Sequence, residues 1–348
     1  MKDDSPTSAP NVLFLGAGAS RPLGKMLMGE FITHLQNIPE ISGSALFHDI
    51  IGKNRDLEFL LEELQDIEQK GYLKYHLSDE HDNLYPPRPP PYPQRPERSF
   101  AELAISAGRL RRLIEEQVFL QYRGFDDDAQ VKRLLEPLFE RIAAATKAAL
   151  VVFTTNYDLA VEKLCALSHK YECIDGFVDD LENRLYFWDK ATFESDHAHF
   201  GRRPLFLFKL HGSVDWIRSG PRIVRGVPLF AAADKQHTNV MIYPATRKVS
   251  YEEPFFTCYN YLQDCLSNAR YCLVVGYSFR DYDAITRIRA AVRKNPSLVI
   301  QILDPNASAL VKELRRFEVE AKPIAAALQP GGVLPEIKPH SEGLRIVV

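Results

Sequence analysis

The sequence predicts an α/β protein, built on a Rossmann-like, doubly wound parallel sheet with a helical insertion after its first strand. Three observations carry this. Short apolar runs without alternation recur along the chain, as strands buried on both faces require. Stretches with apolar residues at helical spacing lie between them. Glycines or small polar residues directly follow the apolar runs, where a strand enters a tight turn.

Taken in order, Asn11 to Leu15 (NVLFL) reads as the first strand and Gly16-Ala-Gly-Ala-Ser20 as its turn. Met26, Leu27, Phe31, Ile32 and Leu35 then recur at helical spacing. Leu57, Leu60, Leu61, Leu64 and Ile67 form an apolar stripe with acids between them, and Phe100 to Leu120 and Val131 to Leu150 repeat the pattern. The helices between about 25 and 147 form the insertion, within one domain spanning 1–348. Between two of them lies a proline-rich stretch at 85–96, which forbids helix and favours an extended surface loop over a ligand for a proline-binding module. From Ala149 the alternation resumes: Leu150–Phe153 is a strand and Leu159–Leu167 a helix. Short strand-like runs follow at Arg184–Trp188, Leu205–Leu210, Val214–Ile217 and Val240–Tyr243. Phe255–Ala269 reads as helix, Tyr271–Val275 as strand, Ala284–Val292 as helix and Leu298–Leu303 as strand.

Composition narrows the function classes. With 348 residues, 45% hydrophobic and 26% charged, the chain is long enough to bury a large core. A formal charge of -3 argues against a generic polyanion binder. Arg109, Arg111 and Arg112 read as a solvated helix face, so direct nucleic-acid binding is not expected. Five scattered cysteines without a CxxC pair argue against a disulfide framework and suit a reducing cytosol. No apolar run is long enough for a membrane span, and the polar start MKDDSPTSAP lacks a secretory h-region, so a cytoplasmic protein is expected.

In open α/β sheets ligands bind beyond the carboxyl ends of the strands. The residues there are Gly16 to Ser20, Thr154-Thr-Asn-Tyr-Asp158, His211-Gly-Ser213, Gly276-Tyr-Ser-Phe279 and Asp304-Pro-Asn306. The first glycines let a backbone approach a pyrophosphate, and Ser20 and Arg21 lie within reach of phosphate oxygens. Arg21 stands where a dinucleotide fingerprint has its third glycine, which tells against a standard dehydrogenase. Asp158 suits a helix N-cap as well as a site. The Asn156 amide, with donors and an acceptor, suits orienting a water or a sugar hydroxyl. His211 is either structural or a general base, and Gly212 beside it would let a ligand approach the imidazole. His197 and His199 resemble a metal cluster in composition only.

Together these strand ends resemble the sirtuin family, which carries a GAGxS turn, a T-Q-N-x-D motif, an H-G motif and a G-T-S motif in this order. The matching residues are Gly16-Ala-Gly-Ala-Ser20, Thr154 to Asp158, His211-Gly212 and Gly276-Tyr-Ser278. The variant forms T-N-Y-D, K-L-H-G-S, Y-P-A-T near Tyr243 and G-Y-S-F-x-D-x-D resemble the bacterial sirtuin-like branch associated with NAD hydrolysis in antiphage defence. The deacylase branch holds a zinc module of two CxxC pairs between the H-G and G-T-S motifs. Here that interval has only Cys258, Cys265 and Cys272, from which no zinc ribbon can be drawn, so no metal is expected.

The resemblance implies a catalytic pair Asn156 and His211, with Asp158 assisting near the nicotinamide ribose. It implies a NAD site lined by Gly16, Ala17, Gly18, Ser20, Arg21, Thr155, Gly276, Ser278 and Asp304. NAD would be the substrate, cleaved at the nicotinamide–ribose bond, by hydrolysis or by cyclisation. A sirtuin-type deacylase and a non-catalytic NAD or ADP-ribose sensor are the alternatives. A NADase must be controlled, which implies gating by homo-oligomerisation or by a co-encoded partner such as a HerA-type ATPase or a short Argonaute.

Overall fold

The computed structural model describes residues 10–70, 100–124, 127–144, 148–180, 185–194, 201–226, 237–242, 252–326 and 328–329. The proline-rich stretch at 85–96, His197, His199 and the Y-P-A-T run lie outside them. Contacts divide the described residues into two compact units. One takes those up to Leu27, those of Tyr122–Met241 and those from 252 onward; the other takes those of Met28–Gln121 and Ile242.

In the first unit the strands are β1 (Asn11–Leu15), β2 (Leu150–Thr154), β3 (Tyr171–Ile174), β4 (Phe177–Asp180), β5 (Leu185–Trp188), β6 (Arg203–Lys209), β7 (Gly212–Ser219), β8 (Arg222–Arg225), β9 (His237–Met241), β10 (Tyr271–Val275), β11 (Val299–Leu303) and β12 (Lys322–Ile324). Seven of them form the predicted parallel sheet, in the order β12-β11-β10-β1-β2-β6-β3. The register aligns Leu273, Leu13, Val152 and Leu207 across its four central strands. This row faces helices α7 (Asp128–Ala144) and α8 (Ala160–Ser168), whose Leu134, Leu135, Leu138, Ile142 and Leu164 join the same core. The next row points the other way: Phe153 stacks on Phe208 at 4.8 Å, and Phe208 on Tyr261 of α9 (Phe255–Asn268) at 5.0 Å. Helix α10 (Tyr282–Lys294) packs on α9, and α11 (Ala307–Leu314) follows β11. Burial on both faces is why β1, β2, β10 and β11 read as unbroken apolar runs.

The remaining five strands form a second sheet, β4-β5-β8-β7-β9, all antiparallel, which the sequence did not announce. Its strand β5 falls in the run read at Arg184–Trp188 and β7 contains Val214–Ile217, whereas β9 shares only Val240 and Met241 with the run read at Val240–Tyr243; Arg184 and Tyr243 lie outside the described residues. Only the residues Leu210 and His211 separate β6 of the first sheet from β7 of the second.

The second unit is helical: α2 (Met28–Leu35), α3 (Pro39–Ser42), α4 (Ala45–Ile51), α5 (Leu57–Lys70) and α6 (Phe100–Tyr122, whose last residue belongs to the first unit). The predicted stripe Leu57, Leu60, Leu61, Leu64 and Ile67 is buried throughout. Helix α7, which its periodicity groups with these helices, packs on the sheet instead. No helix among the described residues is long and apolar enough to cross a membrane.

Candidate functional site

The sheet order brings the carboxyl ends of β10, β1, β2 and β6 side by side. From β1 the chain proceeds to β2 on one side, and from β10 to β11 on the other, so the order reverses between β1 and β10. A crevice opens at such a switch point. The loops that meet there are Gly16–Ser20 and Gly276–Ser278.

These two loops touch backbone to backbone. Gly16 N donates to Val275 O at 2.9 Å, Gly18 N to Gly276 O at 2.8 Å, and Ala19 N to Gly16 O at 2.9 Å. Gly276 adopts φ +60, and a Cβ there would lie 2.5 Å from Ala19 N and from Gly18 Cα. A Cβ on Gly16 would lie 2.5 Å from Gly276 O, and one on Gly18 2.7 Å from Gly276 Cα. The glycines are thus fixed by contact between the loops. The amides of Gly16, Gly18 and Ala19 are committed to protein carbonyls, so they are not the donors a phosphate would meet. The turn itself is a short helix, α1 (Ala17–Ser20), continued by a 3-10 turn over Arg21–Leu23. Ala17 is half-buried and Arg21 exposed.

Behind the turn lies a chain of buried polar groups. Asn156, 6% exposed, donates through Nδ2 to Gly16 O at 2.9 Å and to Ser20 Oγ at 2.8 Å. Ser20 Oγ donates onward to Asp158 Oδ2 at 2.6 Å. Asp158 Oδ1 accepts from Ala160 N at 3.1 Å, in the first turn of α8. The N-cap position of α8 is Leu159, which makes no side-chain cap bond, so Asp158 stands one residue before the cap and reaches the first helical amide instead. Both Nδ2 hydrogens of Asn156 are spent on protein oxygens, so what its side chain offers a ligand is the Oδ1 acceptor. Thr154 Oγ1 accepts from Asn156 N at 3.0 Å and donates to Leu15 O at 3.1 Å, while half-buried Thr155 donates its N–H to Leu15 O at 3.1 Å. Beneath, Lys209, 1% exposed, donates to Asp158 O at 2.5 Å and to Glu162 Oε1 at 2.9 Å. Burial pushes the Glu162 carboxyl up, and the Lys209 charge pulls it back.

His211 is buried, with its ring centroid 6.4 Å from that of Tyr157, the neighbour of Asn156. Its Nε2 lies 2.7 Å from Asp281 Oδ2, which also accepts from the Tyr259 hydroxyl at 2.6 Å. Asp281 Oδ1 accepts from Asp283 N and Ala284 N and so caps α10. Burial first, then the Asp281 charge, pushes the Tyr259 phenol well above its usual range. Gly212 has a physical reason other than ligand access: at φ +81 its Cβ position is filled by the Val240 carbonyl of β9. Asp281, Tyr259, Lys209 and Glu162 were not singled out by the sequence. Asp281 stands in the quoted G-Y-S-F-x-D-x-D run just before a predicted helix, which is a readable cap signal. Tyr259 carries no such signal.

Ser278 is exposed, and Asp304, at the end of β11, accepts from Asn306 N at 2.7 Å. Cys258 and Cys265 lie on α9 and Cys272 in β10, all as free thiols; burial pushes Cys265 and Cys272 up to about 12. Among the described residues no group of three or more His, Cys, Asp or Glu is placed to hold a metal ion.

A model of the SIR2-like domain matches residues 150–324. No curated protein matches the chain. Among solved structures the chain is similar to a Sir2 homologue mutant in complex with 2′-O-acetyl-ADP-ribose, at 13% identity over 92% of this chain and 88% of that one, with a TM-score of 0.41. It is similar to Sir2 with a p53 peptide and NAD+, at 15% identity over 89% and 92%, with a TM-score of 0.38. It is also similar to Sir2Tm bound to a propionylated peptide, at 13% identity over 92% and 89%, with a TM-score of 0.41.

Proposed function

The chain belongs to the SIR2-like domain family, and on that premise we propose that it is a NAD+ hydrolase that releases nicotinamide and ADP-ribose. The observation that carries the reading is the buried Asn156, held by Gly16 and Ser20 so that its Oδ1 is the group left for a ligand at the carboxyl edge of the sheet. The reaction suits an amide and an imidazole. The C1′–N bond breaks with its electron pair going to nicotinamide, whose ring leaves neutral and needs no strong acid. Water adds to C1′ and gives up one proton. The protein must position that water and stabilise an oxocarbenium-like ribose. Paired carboxylates are dispensable here, unlike in ordinary glycosidases.

In this reading Asn156 Oδ1 accepts a hydrogen bond from the water or a ribose hydroxyl, and His211 takes the proton. Asp158 holds Ser20, and through it Asn156, beside the nicotinamide ribose. Gly16, Ala17, Gly18, Ser20, Thr155, Gly276 and Ser278 line the dinucleotide. Arg21 meets the pyrophosphate and Asp304 the adenosine ribose. The first unit is the NAD-binding body and the helical unit an assembly surface of one working domain. The biological role we propose is NAD depletion in an abortive-infection antiphage system in the cytoplasm. Homo-oligomerisation or a co-encoded partner, such as a HerA-type ATPase or a short Argonaute, would gate it.

The test is NAD turnover with chromatography of the products, for the chain alone and with its neighbouring gene product. ADP-ribose marks hydrolysis and cyclic ADP-ribose marks cyclisation. Asn156→Ala and His211→Ala should fold and lose nicotinamide release by more than roughly tenfold. Folded variants with undiminished cleavage, or a wild-type chain inactive in both settings, refute the proposal.

A further inference from the structure

The hydrogen bonds around Asp281 decide which nitrogen of His211 can accept a proton. Asp281 Oδ1 accepts from two backbone amides, Asp283 N at 3.0 Å and Ala284 N at 3.3 Å. Oδ2 accepts from the Tyr259 hydroxyl at 2.6 Å and faces His211 Nε2 at 2.7 Å. The raised Tyr259 phenol keeps its proton and remains a donor. Three donors thus converge on a buried carboxyl, which is the environment of an ionised, acceptor-only group. Facing such a group, Nε2 must carry the hydrogen. A neutral imidazole has a single N–H, so the lone pair is on Nδ1.

We propose that Asp281 is a positioning residue that holds His211 as its Nε2–H tautomer, making Nδ1 the nitrogen that takes the proton from the attacking water. The proposal rests on the NAD-hydrolase reading. As the water oxygen bonds to C1′ and the C1′–N pair leaves with nicotinamide, the water O–H breaks and its proton passes to Nδ1. The resulting imidazolium is met at Nε2–H by the Asp281 carboxylate, and the proton then returns to solvent. A structural cap alone does not need this chemistry, because asparagine caps helices as well as aspartate does. What the carboxylate adds is a second acceptor oxygen, and that oxygen is on His211.

The same cap makes Asp281→Asn an informative variant. Its Oδ1 stays with the amides of Asp283 and Ala284, so its NH2 turns toward His211 and Tyr259. Nε2 must then accept, and the hydrogen moves to Nδ1. Long-range 15N correlation spectra of the full chain labelled at histidine nitrogen report the tautomer, with the His211 signals identified by their loss in His211→Ala. The expected wild-type spectrum has a protonated Nε2 and an unprotonated Nδ1, and Asp281→Asn reverses the two. NAD turnover in Asp281→Asn should fall on the order of 10²- to 10⁴-fold, mainly in kcat, the scale of a histidine in its wrong tautomer. Tyr259→Phe should keep the wild-type tautomer and lose less than about tenfold. A wild-type His211 with its hydrogen on Nδ1, or an Asp281→Asn variant with wild-type turnover, overturns the proposal. A wild-type chain that never releases nicotinamide refutes the hydrolase reading instead, and the spectra still decide the tautomer.

Discussion

Replacing Gly276 by alanine tests the contact on which the crevice is built. Two costs add. At φ +60 an L side chain enters the left-handed region, at about 1–2 kcal/mol. The new Cβ also lies 2.5 Å from Ala19 N and Gly18 Cα, backbone atoms that cannot swing aside, and such overpacking costs about 1–3 kcal/mol. The sum is about 2–5 kcal/mol. Two comparison variants separate the parts. Gly24 has φ +82 and nothing within 4 Å of its Cβ position, so Gly24→Ala should lose only the backbone share, about 1–2 kcal/mol. Gly18→Ala adds only the contact, 2.7 Å from Gly276 Cα, at about 1–3 kcal/mol. With an unfolding entropy near 2.1 cal/mol/K per residue over the chain's 348 residues, each kcal/mol lowers Tm by about 1.4 °C. Gly276→Ala should therefore melt about 3–7 °C below wild type and Gly24→Ala about 1–3 °C below. Scanning calorimetry measures both, and NAD titration of Gly276→Ala should show weakened binding. A Gly276→Ala protein that melts no lower than Gly24→Ala and binds NAD as wild type does would refute the reasoning.

Two further outcomes concern buried charge. Lys209→Met strands the Glu162 carboxylate and the Asp158 carbonyl, and should cost about 3–5 kcal/mol in urea unfolding. Adding Glu162→Gln should restore part of that, and a single variant as stable as wild type would contradict the ion pair. For Tyr259 the sign follows from its raised phenol: above about pH 10 the unfolded chain loses this proton while the folded chain keeps it, so stability falls as pH rises. Below that pH the contribution is intact. Tyr259→Phe removes the group and should flatten the alkaline loss; equal alkaline slopes would count against it.

Strands β1, β2, β6, β10 and β11 of the parallel sheet were legible as apolar runs, a signal contained within a few residues, whereas the edge strands β3 and β12, only partly buried, were not. The second sheet was not. Three of its strands, β5, β7 and β9, overlapped short runs and β4 and β8 did not, and the pairing depends on residues far apart in the chain, as when Gly212 meets Met241. Helix α7 shows a related limit, since an apolar stripe at helical spacing does not say which core it joins. Among the strand-end residues, Ser20, Asn156 and Asp158 were readable as polar groups at a sheet edge, and the hydrogen bonds joining them span more than a hundred residues. Lys209 was hidden inside the apolar run Leu205–Leu210, its partner Glu162 lying on another element. Tyr259 was hidden as one more aromatic on a buried helix face. One physical reason for Gly212 was out of reach of the sequence, because the carbonyl that occupies its Cβ position belongs to a strand 28 residues away.

The seam between the two sheets has a consequence for how precisely the imidazole is placed. His211 is not on a loop with freedom of its own. One neighbour, Leu210, is bonded to Thr154 O, and the other, Gly212, opens a strand in register with Met241. The side chain is therefore clamped by two independent hydrogen-bond ladders meeting at a corner. A one-residue slip in either ladder turns a strand over, and here it would rotate the imidazole away from Asp281. An insertion or deletion in the outer strands of the second sheet should thus be felt in turnover before it is felt in melting temperature.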